Sequence, residues 1–200
     1  LGNHDHAGNI QAQIDYSKIS RRWSMPSNYY TVVESRNDVS IRLVILDTNP
    51  IYNEYENPKS NYSRADVERQ LAWTDSVLSA SEENWVVVVG HHPVYSAHPS
   101  RGNTTALVEQ LNPIMEKHDV DFFIGGHDHI FQHLKDPNSK IDFFVNTAGS
   151  AVRPGSTNEM TVFAGSSPGF SLCSATETSL SIYFININGE VIYSYSRQKQ

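Results

Sequence analysis

Cysteine is almost missing from this chain: Cys173 is the single one in 200 residues. That excludes an intrachain disulfide framework, so packing alone must hold the fold. Cys173 lies in an apolar alternating stretch, where a buried structural thiol is expected rather than a nucleophile. Long hydrophobic runs are missing too. None approaches the roughly 18 apolar residues that a membrane-spanning helix needs, and no secretory leader is visible. Basic charge is scarce, with 15 Lys and Arg against 22 Asp and Glu and a formal net charge of −7. A nucleic-acid surface needs clustered Lys and Arg, so that class is set aside. The deficit does not exclude an anionic substrate, because bound metal ions would be the largest local charges. An apolar content of 38% over 200 residues is enough for one domain with a core.

What the chain does have is clustered histidine. Eight of its nine histidines fall in three groups: His4 and His6; His91, His92 and His98; His127, His129 and His133. Gly125-Gly126-His127-Asp128-His129 follows Val120–Ile124, which reads as a buried strand. In an extended stretch, residues two apart point the same way, so His127 and His129 are expected to aim at one point beyond the strand. Alone, the pair reads equally well as surface histidines on a loop. Two further stretches tip the balance: Gly2-Asn3-His4-Asp5-His6 opens the chain, and the strand Trp85–Val89 runs into Gly90-His91-His92-Pro93. Three such turns predict one site at one edge of a sheet, where open α/β sheets place theirs.

The remaining elements follow from periodicity. Residues 9–22 are expected to be partly helical, and Tyr29–Glu34 with Ser40–Asp47 to pair antiparallel across a turn at Ser35–Asp38. A long polar loop is expected after Asp47-Thr48 as far as Asn61. Ser63 caps a helix whose apolar face includes Val67, Leu71, Val77 and Leu78. Thr104 or Thr105 caps another, with Leu107, Leu111, Ile114 and Met115 on one side and a restart at Pro113. The tail reads as short strands at 131–134, 141–147, 170–175, 180–186 and 190–195, with a hairpin turn at Asn188-Gly189 and a long loop over 149–169. Asn61-Tyr-Ser63 and Asn103-Thr-Thr105 match the glycosylation triplet.

Gly-Asn-His-Asp, Gly-His-x-Pro and Gly-His-Asp-His, in that order, resemble the later motifs of the calcineurin-like metallophosphoesterases. The text between them is similar to the tartrate-resistant type of purple acid phosphatase: Gln13–Trp23 with Pro26, Leu46-Asp47-Thr48, Gln70–Trp73 and Gly90–Ser96. The likeness runs from residue 1 to about 195. It implies an α/β (α+β) fold, a four-layer αββα sandwich of two mostly mixed sheets flanked by helices with the first strands missing. Residues 1–200 would then be the C-terminal part of a single catalytic domain.

The resemblance also implies roles. The function would be that of an acid phosphatase acting on phosphate monoesters through a dinuclear metal centre, with a metal-bound hydroxide as nucleophile. Asn3, His91 and His127 would hold a divalent ion of iron, zinc or manganese, and His129 would hold iron(III). Asp5 and Asp128 would orient imidazoles. His4 would stand beside the leaving-group oxygen, and His98 would face the substrate, although its spacing departs from the animal enzymes. His6, His92 and His133 would be loop or supporting residues, and Tyr95 either a pocket or a core residue. The family's earlier motifs, an Asp and a Gly-Asp-x-x-Tyr, are not found here, so the chain looks N-terminally truncated and is expected to be nearly inactive alone. Partners would be small phosphorylated substrates or phosphoproteins, and the compartment secreted, periplasmic or lysosomal. The alternatives are a phosphodiesterase or pyrophosphatase of the same superfamily, and a non-catalytic binding protein on a phosphatase-like scaffold.

Overall fold

A computed structural model describes residues 1–56, 62–149 and 151–199. Its elements run α1 (Asn3–His6), α2 (Ile10–Tyr16), β1 (Tyr30–Arg36), β2 (Val39–Ile45), α3 (Thr48–Glu56), α4 (Arg64–Ser79), β3 (Trp85–Val89), α5 (Thr105–Gln110), α6 (Asn112–Lys117), β4 (Phe122–Gly125), β5 (Phe131–Leu134), β6 (Asp142–Val145), β7 (Thr161–Gly165), β8 (Gly169–Ala175), β9 (Ser179–Asn186) and β10 (Val191–Gln198). Seven strands form one sheet in the order β1-β2-β3-β4-β6-β5-β7, and three form a second in the order β10-β9-β8. In the large sheet β2, β3, β4 and β6 are parallel neighbours, while β1, β5 and β7 are antiparallel to theirs. The small sheet is antiparallel throughout.

Strand alternation divides the apolar residues between two cores. Val86, Val88, Phe123 and Phe143 pack against Val67 and Leu78 of α4 and Leu107, Leu111 and Met115 of the α5–α6 region. Their neighbours Trp85, Val87, Phe122 and Phe144 face Leu180, Ile182 and Phe184 of β9. A helical layer, the large sheet and the small sheet therefore stack in that order, giving the expected α/β architecture of two packed sheets with helices outside. Both faces of the central strands are covered, which is why Val86–Val89 is continuously apolar rather than alternating with polar residues.

One polar cluster crosses between the sheets. His133 of β5 is 1% exposed and lies 3.0 Å from Asp142 of β6 through Nε2 and 2.6 Å from the Tyr193 hydroxyl of β10 through Nδ1. The Tyr195 hydroxyl and Arg197 Nη1 donate to the other Asp142 oxygen at 3.1 and 3.2 Å. Each buried polar atom in the cluster has a partner, which buried polar groups require.

The cap at Ser63 and the break at Pro113 lie where the pattern places them. Ser63 accepts from the Asp66 N–H, and α6 begins next to Pro113. Three features differ from the sequence expectation. Thr48–Glu56 is helical where a polar loop was expected, because Pro50 falls in the first turn, where a missing N–H breaks no hydrogen bond. β7 lies within the expected 149–169 loop and completes the sheet edge by pairing with β5. Cys173 is exposed rather than buried, since β8 is an edge strand. Asn61 lies outside the described residues; Asn103 is exposed, and its Oδ1 accepts from the Ser96 N–H at 3.1 Å.

Candidate metal centre

The parallel strands β2, β3, β4 and β6 all end at one edge of the large sheet, and the ladder continues one step past them. Leu46 N donates to Val89 O, Gly90 N to Ile124 O and Asn146 N to Gly125 O, at 2.8, 3.1 and 2.8 Å. Gly126 N then donates to His91 O at 2.8 Å, tying the histidine turns after β3 and β4 together. Two glycines allow the close approach. A Cβ on Gly125 would lie 2.9 Å from Pro93 Cα, and one on Gly2 would lie 2.8 Å from His91 Nδ1.

Asn3, His91 and His127 are brought together. His91 Nε2 lies 2.8 Å from Asn3 Oδ1 and 2.9 Å from His127 Nδ1. His92 joins the group: ligand nitrogens of His91, His92 and His127 all lie within 4.8 Å of one another. Burial lowers the pKa of His91 and of His127 to about 4 each, with Arg101 adding to the effect at His127. Their lone pairs are therefore free of protons at mildly acidic pH. Two neutral imidazoles and an amide oxygen fit one borderline divalent cation such as zinc. No Asp or Glu joins the cluster among the described residues.

His127 and His129 do not lie in the extended stretch that the sequence suggests. Their φ angles are 66° and 59°, so both are left-handed rather than extended. The reason lies between them. Asp128 is 1% exposed, held by the Ser96 hydroxyl and by Arg101 Nη1, and its N–H turns back to Gly126 O at 2.7 Å. Drawing that carboxylate inward forces a tight turn on either side, the kind of backbone strain that concentrates at functional sites. His129 is not in the group of His91, His92 and His127; its Nδ1 donates to Ala151 O at 2.7 Å, which leaves the lone pair on Nε2. Asp128 thus holds the turn and not an imidazole. Asp5 likewise accepts from Gly2 N at 2.8 Å and from Gln13 Nε2 at 3.3 Å, fixing the turn that carries Asn3.

His4 is exposed and makes no side-chain hydrogen bond among the described residues. His98 is 8% exposed, between Ser100 and Arg153, with its Nε2 3.3 Å from Arg153 Nη1. Burial lowers its pKa, against the pull of Asp128. Tyr95 belongs to the core, edge-on to Phe143.

Several partnerships near the site carried no sequence signal. His92 stacks on Tyr52 with ring centroids 4.5 Å apart, and its Nδ1 is 3.0 Å from Thr48 Oγ1. Burial, reinforced by His127, lowers its pKa to about 2. His6 Nε2 is 2.9 Å from both oxygens of Asp47, and its Nδ1 is 2.6 Å from the Tyr62 hydroxyl, so α1 is fastened to the end of β2. Burial raises the Asp47 pKa against the opposing pull of His6. These partners sit on α3, on the β2 end and before α4, far from the histidines in sequence. A larger cavity, about 570 Å³, opens at the opposite edge of the sheet beside Lys135, Asp142 and Arg197. Carboxylates and main-chain oxygens there already engage Lys135 and Arg197.

Comparison with known proteins shows the family. Tartrate-resistant acid phosphatase type 5 of Sus scrofa is 35% identical over 96% of this chain and 61% of its own length. The Plasmodium protein described as GAP50, the anchor in the inner membrane complex, superposes with a TM-score of 0.84 at 24% identity, covering all of this chain and 65% of that one. The purple acid phosphatase PPD1 from yellow lupin seeds superposes with a TM-score of 0.68 at 16% identity, over 99% of this chain and 37% of that one. The chain thus spans about three-fifths of the length of the pig phosphatase. The family model described as calcineurin-like phosphoesterase matches residues 1–131, which contain every strand-end turn of the histidine cluster, and the chain belongs to that family.

Proposed function

We propose that this protein works as an acid phosphatase on phosphate monoesters. The observation that carries the reading is the convergence of Asn3 Oδ1, His91 Nε2 and His127 Nδ1 at the ends of parallel strands. These three side chains hold a divalent ion, and His129, with Nε2 available, is this chain's contribution to a second, iron(III) site. When bound, the ions supply positive charge to the phosphoryl oxygens and activate water for in-line attack. His4, exposed on α1, donates a proton to the leaving-group oxygen. His98 lies on the substrate side, with Arg153 holding its ring. Asp5 and Asp128 keep the two turns in place. The likeness to the tartrate-resistant phosphatases supports a secreted, periplasmic or lysosomal setting.

A binding role on the same scaffold is the second reading. One observation favours it: no carboxylate joins the histidine cluster among the described residues. The GAP50 protein of the same fold is itself described as an anchor. The two readings separate in one experiment. The protein is loaded with zinc, manganese or iron, and hydrolysis of 4-nitrophenyl phosphate is followed at pH about 5, beside bis(4-nitrophenyl) phosphate. Metal-dependent turnover of the monoester that disappears in His127→Ala supports the phosphatase. Measured on the protein with any preceding segment included, bound metal with no turnover supports the binding module, and a preference for the diester points to a phosphodiesterase.

A further inference from the structure

A cavity of about 250 Å³ adjoins the histidine cluster. His127 forms one wall; Tyr52, Ser100, Arg101, Asn103 and Thr104 are among the others. This is smaller than the roughly 300–1,000 Å³ of a complete small-molecule site, and so has the size for one part of a substrate. Its chemistry is one-sided. Arg101 is the cation in the wall, and Asp128, the carboxylate there, already accepts from Ser96 and from Arg101. Arg101 uses only Nη1 on the protein, at 2.6 Å to His127 O and 3.0 Å to Asp128 Oδ1. Its Nε and Nη2 have no partner among the described residues, so the planar fork keeps donors for an oxyanion. Thr104, at the start of α5, makes no capping bond with its side chain, although the residue is 7% exposed. Its hydroxyl is thus a further donor in the same wall. A second guanidinium, that of Arg153, stands at His98 and adds positive charge on this side of the cluster.

We propose that this cavity is a subsite for the part of the substrate that is not transferred, and that it selects monoesters bearing a second phosphate. The proposal rests on the phosphatase reading for its substrate, but its binding half does not. The reacting phosphate lies at the histidine cluster, and the second sits against Arg101 and Thr104, where charge-assisted bonds to a guanidinium are the strong ones.

The test compares propane-1,3-diol bisphosphate with propyl phosphate, which differ only in the second phosphate. Calorimetric binding to the zinc-loaded protein and kcat/KM are measured for wild type, Arg101→Lys and Thr104→Val. Arg101→Lys keeps a cation for His127 O and loses the fork, whereas Thr104→Val leaves the His127 turn untouched. Wild type is expected to prefer the bisphosphate by roughly tenfold or more in both measurements. Each variant should shrink that ratio at least threefold. Equal affinity of wild type for the two esters overturns the proposal, as does a preference that survives both substitutions. Loss of affinity for both esters to the same degree would put Arg101 on the transferred phosphate and overturns it as well. A variant-sensitive binding preference without turnover keeps the subsite and removes the phosphatase reading. Turnover without any preference does the reverse.

Discussion

At the scale of single residues, the site combines strained histidines with one unconstrained histidine. His4 is exposed and makes no side-chain hydrogen bond among the described residues, which fits the proposed role beside a leaving group. His4→Ala is expected to lower kcat by about 10²–10⁴-fold for an alkyl phosphate, the usual loss for a general acid. The loss should be smaller for 4-nitrophenyl phosphate, whose leaving group needs little protonation, and metal per chain should be unchanged. Equal losses on both esters would remove the leaving-group role. His129 offers a backbone test. Its φ of 59° suits glycine better than any L side chain. His129→Gly should therefore unfold at higher urea than His129→Ala, by about 1 kcal/mol, since both lose the imidazole and only one relieves the strain. The motif marks candidate site residues, but not their backbone angles. What turns the chain at 127 and 129 is the burial of Asp128 by Ser96 and Arg101, which come from a loop some thirty residues upstream.

At the scale of elements, the sequence is most informative where packing and local pattern agree. The β3 run of valines, the Ser63 cap and the apolar face of α4 are each legible because a periodicity and a boundary residue coincide. Gln70 on that helix is less so. It is buried and exchanges two 2.9 Å bonds with the main chain of Asp47, a polar link from α4 to the site edge that no hydrophobic pattern reveals. α3 was hidden by Asn49-Pro50, a pair that reads as a breaker until it falls in a first turn. β7 was hidden because its flanks, rich in Ser, Gly and Pro, look like loop, while its pairing partner β5 lies some thirty residues earlier.

The clasp between β5, β6 and β10 has a pH signature. Burial pushes the Asp142 carboxyl up, but the bond from His133, with Lys135 and Tyr195, outweighs it and holds the pKa below its ordinary value. A carboxylate whose pKa is lower folded than unfolded binds more protons when unfolded. It therefore contributes stability above about pH 4, and the contribution disappears as pH falls through the folded value. Wild type should exceed Asp142→Asn in urea midpoint at pH 7, and the gap should narrow by pH 3. A constant gap would mean that the carboxylate's charge is irrelevant to the clasp.

At the scale of the whole molecule, the prediction concerns stoichiometry. Among the described residues one group of three histidines could hold an ion, with Asn3 beside it, and His129 is apart from it. The 200-residue chain, dialysed against zinc and measured by elemental analysis, should carry one ion per chain. Asn3→Ala should reduce its affinity without abolishing it, because two or three imidazoles remain. Two tightly held ions would require a ligand set other than this one.

The edge of the large sheet also fixes a length. His91 and His127 follow neighbouring parallel strands, with Val89 of β3 in register with Ile124 of β4. Adjacent strands lie about 4.8 Å apart because their main chains are hydrogen-bonded, whatever side chains they carry. The spacing of the two turns is thus inherited from the pitch of the ladder, and the side chains close it to 2.9 Å between His91 Nε2 and His127 Nδ1. The sheet therefore sets where the two turns start, while the turns and the donors they carry set which ion fits.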